Sequence, residues 1–123
     1  MSDYDAAIEA ADDEAAERRY KEAYNTLGSA LRLGGPRDWE CRYRRGVYAL
    51  RVAQTRLDTL EEDPDADVNL SKVACWLSRS QAYLMSSSEQ ASAEQLDEIA
   101  GHLEAVRAEQ DRFRDRWRTT ARA

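Results

Sequence analysis

PRDWECRYRRGVYALRVAQTRLDTL, residues 36–60, is the stretch whose periodicity decides the fold. Its stripe runs Trp39, Tyr43, Gly46/Val47, Leu50, Ala53/Gln54, Leu57, Leu60. Steps of three and four over twenty-two positions are the period of one helix face. Pro36 suits a first helical position, where a missing N–H costs nothing. The segment EEDPDAD (61–67) ends the helix, because Pro64 disfavours helical backbone at the residue before it. A second apolar line, Cys41, Tyr48 and Val52, runs along the back of the same helix. A helix apolar on two sides is either central, with another helix across its back, or it waits for a partner. The sequence leaves both options open.

Helical periodicity continues on either side. Upstream, Ile8, Ala11 and Ala15 form a thin stripe, and Tyr20, Ala23, Tyr24, Leu27, Ala30 and Leu31 a rich one. LGG (33–35) supplies the glycine stop signal. Downstream, Leu70, Val73/Ala74, Leu77, Gln81 and Leu84 form a third stripe, with Asp67 or Asn69 as N-cap. The fourth stripe, Leu96, Ile99, Leu103, Val106, Gln110, Phe113 and Trp117, has a mean step of 3.5, the coiled-coil seam period. It opens with SAEQ (92–95), a capping-box pattern. No run shows strand alternation. The expectation is an all-α single domain over residues 1–123. It is an antiparallel four-helix bundle with helices at 3–33, 36–62, 67–86 and 92–121. A variant splits the first helix into a helical hairpin near Glu17–Tyr20.

Composition agrees. Charged residues are 34% and hydrophobic ones 42%, with five Gly and two Pro, the signature of helices with solvated faces. Cys41 and Cys75 are dispersed and read as small core residues in a reducing cytosol. No apolar run approaches the length of a membrane span. The opening MSDYDAAIEAADDE lacks the basic and apolar regions of a signal peptide. The expected setting is therefore cytoplasmic, away from membranes.

Net charge is −6, which argues against free nucleic acid as the default partner. The charge is unevenly spread. Residues 1–17 hold seven acids and no base, residues 37–51 five Arg and two acids, and residues 107–123 six Arg and three acids. In an up-down bundle the acids of 1–17 and 61–67 would surround the C-terminal arginines, and Phe113 and Trp117 would keep that tail packed. The opposite pole, with Arg32, Arg37, Arg42, Arg44 and Arg45, faces few acids, chiefly Asp38, Glu40 and Glu89. It is the better site for an anion or an acidic partner.

Catalytic constellations are missing from the pattern. His102 is the one histidine, so neither a zinc set nor a diiron Glu-x-x-His set can form from it. No glycine-rich phosphate loop of either common type occurs. No metal or cofactor is called for. Gln54 and Gln110 either form a buried polar contact that fixes register or sit at the edge of their stripes.

Residues 20–36, YKEAYNTLGSALRLGGP, carry Tyr20, Ala23, Leu27, Ala30, Leu31 and Pro36 at spacings that resemble the second helix of a tetratricopeptide repeat. The resemblance implies a protein-binding helical scaffold without catalysis. It covers only this stretch, and residues 36–60 do not repeat it. The function expected is a non-catalytic protein–protein interaction module: an adaptor, an assembly factor or a subunit. Its contacts would be Tyr48 and Val52, rimmed by Arg42, Arg44 and Arg45, with a protein partner or a homodimer. The alternative is a nucleic-acid-associated accessory protein using the arginines of 42–45 and 112–118.

Overall fold

A computed structural model of the chain describes residues 3–31 and 38–122. Among them are five α-helices and no strand: α1 (Asp3–Ala16), α2 (Tyr20–Leu31), α3 (Asp38–Glu62), α4 (Leu70–Ser87) and α5 (Ala93–Arg122). A 3-10 turn, Ser88–Gln90, follows α4. The LGG stop, Pro36, Arg32 and Arg37 lie outside the described residues.

The expected first helix over 3–33 is two helices. The break carries a hydrogen-bonded reversal. Arg19 N–H donates to Glu14 O and Arg18 N–H to Ala15 O, both at 2.9 Å. Arg18 has φ 62°. These are the paired bonds and the left-handed residue of a Schellman helix end. Glycine usually holds that position, so an arginine there gives no signal in the sequence.

The turn sends α1 back along α3. Tyr4 lies against Cys41 and Tyr48 donates to Asp12 at 2.9 Å, so α1 and α3 run the same way. Arg45 Nε donates to Tyr24 O at 3.0 Å while Tyr20 meets Tyr48, so α2 runs against α3. Ser80 Oγ donates to Gly46 O at 2.6 Å and Arg42 to Ser86 Oγ at 2.6 Å, so α4 also runs against α3. Tyr43 meets His102 and Arg112 reaches Asp58, so α5 is parallel to α3. The odd helices thus share one direction and the even helices the other. Tyr24 packs edge-on against Trp76 at 4.9 Å and Tyr83 at 6.0 Å, joining α2 to α4. The result is two helical hairpins and a fifth helix in two layers, rather than a four-helix up-down bundle.

Helix α3 is central. The Cys41–Tyr48–Val52 line is buried because α1 and α2 cover it. On its other side lie α4 and α5. Leu27, Leu50, Leu77, Leu84 and Ile99 are almost wholly buried, each stabilising the fold by about 1.5–3 kcal/mol. Helices α3 and α4 approach closely at Gly46, where an added Cβ would lie 2.7 Å from Leu84 Cγ. Local caps follow the sequence. Asn69 accepts from Lys72 N–H at 3.2 Å. Ser92 and Gln95 form the reciprocal capping box, at 2.8 Å and 3.3 Å.

Two further expectations change, and one left open is decided. Cys75 is exposed rather than core. Gln110 pairs with Gln81, at 3.2 Å and in an exposed position, while Gln54 accepts from Arg51. The glutamines therefore sit at stripe edges. Trp117 is 48% exposed, so the aromatic end of α5 is only half packed.

Candidate functional site

Three of the C-terminal arginines, Arg112, Arg114 and Arg116, are engaged within the chain. Arg112 reaches Asp58 at 2.7 Å, Glu61 at 3.0 Å and Glu109 at 3.1 Å. Arg116 donates to Pro64 O at 3.0 Å, and Arg114 pairs with Asp111. Asp58 and Glu61 at the end of α3 thus meet this tail, and the following loop adds a backbone carbonyl. The acids of α1 do not, because the 17–19 reversal carries α1 to the other pole.

There α1 answers the arginines of α3. Arg44 pairs with Asp12 of α1 and with Glu40 of its own helix. Arg45 is stacked between Tyr24, 3.8 Å from its ring centroid, and Tyr83, 4.8 Å away. It also donates to Tyr83 Oη. Arg42 is exposed and bonded to Ser86. Of the five expected contact residues, Tyr48 and Val52 are largely buried under α1 and α2, each keeping an edge in an open groove. Arg44 and Arg45 hold α3 to its neighbours, and Arg42 alone is exposed.

The groove that stays open lies between the first half of α3 and the first turns of α5. It encloses about 500 Å³. Half-buried Trp39, Tyr43 and Val47 line the α3 side at successive helical turns, and Glu94, Gln95 and Glu98 the α5 side. Glu40, Arg44, an edge of Tyr48 and Ser92 complete the lining, leaving three carboxylates against one guanidinium. That guanidinium is already committed to Asp12 and Glu40. Glu94 and Glu98 are exposed and form no ion pair among the described residues. Burial, and then the Glu98 carboxylate beside it, hold the Tyr43 phenol above its usual range. Behind Tyr43, His102 stands edge-on at 5.5 Å. Its burial and the charge of Arg51 outweigh Glu98 and push its pKa down.

Aromatic faces beside carboxylates suit a cation. Such a group gains attraction from the ring quadrupole, about 0.5–2 kcal/mol, and charge-assisted hydrogen bonds from the acids. Sequence reading placed Trp39, Tyr43 and Val47 in the core stripe. Their available signal was the i, i+4 pair Glu94/Glu98 on a second helix, which becomes meaningful only once α5 is known to run parallel to α3. Among the described residues no group of three or more His, Cys, Asp or Glu gathers as metal ligands. No helix among them is long and apolar enough to cross a membrane.

Compared with family models, with curated proteins and with solved structures, the chain finds no match.

Proposed function

We propose that this chain is a non-catalytic protein-interaction module that takes a basic segment of a partner protein into the α3–α5 groove. The observation that carries the reading is the pairing of Trp39 and Tyr43 with Glu94 and Glu98 across one open groove. An extended or helical segment bearing Lys or Arg would set its cation between rings and carboxylates, with its apolar neighbours against Val47. The likeness of residues 20–36 to a tetratricopeptide helix points the same way, and the stacked hairpins support it. The free cysteines Cys41 and Cys75 are compatible with a cytoplasmic setting, which belongs to this reading. The nucleic-acid reading has less support, because the arginines of 42–45 and 112–118 are largely held by the chain's own acids and tyrosines.

The test is selection from a displayed peptide library on immobilised protein, followed by titration of the selected peptides. Enrichment of Lys/Arg-bearing peptides is expected. Trp39→Ala should weaken them at least about tenfold, since aromatic contacts concentrate binding energy. Glu94→Gln with Glu98→Gln should weaken them and flatten their salt dependence. Selection of acidic sequences, or binding untouched by all three substitutions, would refute the groove. Equal or tighter binding of DNA or RNA fragments would favour the nucleic-acid reading instead.

A further inference from the structure

Helix α5 is thirty residues long, yet among its described side chains only Ile99 and Val106 are fully buried. Its 3.5-residue stripe has two rows. Ile99, Val106 and Phe113 turn towards α3 and α4. Leu96, Leu103, Gln110 and Trp117 lie one step round, at the α4 edge. That row is incompletely covered: Leu96 is 42% and Trp117 48% exposed. Helix α4 continues the same face. Its Ala74 and Ser78 share a shallow groove with Gln110 and Trp117. Met85, 55% exposed, stands two turns along that edge from Ser78. All three exposed large apolar side chains among the described residues therefore fall on one α4–α5 face. The face runs about 31 Å from Leu96 to Trp117 at 1.5 Å per residue.

We infer that this face binds a second copy of the chain, with the two α5 helices antiparallel. Two features of α5 select that occupant, independently of the groove proposed above. First, the row is symmetric about a point between Val106 and Arg107. There, in an antiparallel pair, Leu96 meets Trp117 of the second copy and Leu103 meets Gln110. Second, the helix is charge-polarised. Residues 93–104 carry Glu94, Asp97, Glu98 and Glu104 with no Lys or Arg, while residues 105–119 carry five arginines and three acids. An antiparallel partner sets the acidic half beside the basic half twice. It brings Asp97 near Arg118, and Glu104 near Arg107, of the second copy. A parallel partner would set like charges together. A strip of this length and two helices wide covers on the order of 600 Å² per subunit, at the small end of specific interfaces. The expected dimer is therefore in the micromolar range and weakens as salt rises.

The test is sedimentation equilibrium of the full chain from low to high micromolar concentration. A monomer–dimer equilibrium is expected. Trp117→Glu and Leu96→Glu should each raise the dissociation constant at least about 30-fold, the loss common for large apolar interface anchors, here the Leu96–Trp117 pair made twice by the symmetry. Both side chains are exposed, so circular dichroism and thermal midpoint should stay near the parent's. Orientation is read by disulfide trapping on a Cys75→Ser background. Mixed Ala100→Cys and Arg114→Cys chains should cross-link faster than either alone. A chain that stays monomeric throughout, a dimer indifferent to both glutamates, or faster cross-linking of Ala100→Cys with itself would each overturn the inference.

Discussion

Gly46→Ala probes a close approach of α3 and α4, and its sign can be worked out. The new Cβ would lie 2.7 Å from Leu84 Cγ, 3.0 Å from Cδ2 and 3.2 Å from the Leu84 backbone N. Favourable carbon contacts begin near 3.5 Å, so the overlap with Cγ is about 0.8 Å. Leu84 is fully buried and cannot swing into free space. The third contact is backbone, so α4 itself must shift. Overpacking of this kind costs about 1–3 kcal/mol. The shift also strains the 2.6 Å bond from Ser80 Oγ to Gly46 O, in which about 1 kcal/mol is at stake. Alanine's better helix propensity returns about 1 kcal/mol. The net expectation is a loss of about 1–3 kcal/mol. In urea this appears as a lower midpoint at unchanged slope, and in heating as a fall of roughly 4–10 °C. The control is Gly101→Ala. Nothing lies within 4 Å of its added Cβ, so it should gain about 0.5–1 kcal/mol from propensity alone. The double variant Gly46→Ala/Leu84→Ala should lose less than the two single losses added together. If Gly46→Ala matched Gly101→Ala, the close α3–α4 crossing would be wrong.

Other expectations follow from the α1–α2 turn and its docking. Arg18→Gly should stabilise the protein by about 0.5–1 kcal/mol, because a left-handed non-glycine residue costs roughly 1–2 kcal/mol and glycine does not; a thermal shift reads it, and a loss would dispute the reversal at 17–19. Tyr48 is buried and donates to Asp12, which together push its phenol up to about 12. Because the fold favours the neutral form, this stability is fully present below the ordinary phenol value of about 10 and is lost as pH rises through about 12. Tyrosinate absorbance should follow that course, and Tyr48→Phe should remove its share of the alkaline loss.

How much of this was legible in the sequence differs by element. Helices α3, α4 and α5 could be read directly, because their stripes are long and their ends carry Pro64, Asn69 and the Ser92–Gln95 pair. The α1–α2 reversal could be placed but not decided, because Arg18 fills a position that glycine normally announces. That one residue carried the largest error with it. With α1 unbroken, its acids belong beside the C-terminal arginines. With α1 reversed, Asp12 reaches Arg44 and Tyr48, and the expected contact strip is largely buried. The groove was hidden for a related reason. Trp39 and Tyr43 obey core spacing, and only the parallel course of α5 shows that Glu94 and Glu98 stand opposite them.

Helix α3 touches α1, α2, α4 and α5, whereas α1 and α5 sit at the two ends of the layers. Such an arrangement divides the molecule into regions that open with different ease. Amide hydrogens of α3 and α4 around Gly46 and Leu84 should exchange last, only on global unfolding. Those of α5 beyond Phe113, held mainly by Arg112 and Arg116 at the surface, should exchange first. Most contacts join helices adjacent in the chain, so little loop entropy is lost before native packing begins. Folding should accordingly be fast, in the microsecond-to-millisecond range of low-contact-order helical domains, with the α3–α4 hairpin as the part that forms early.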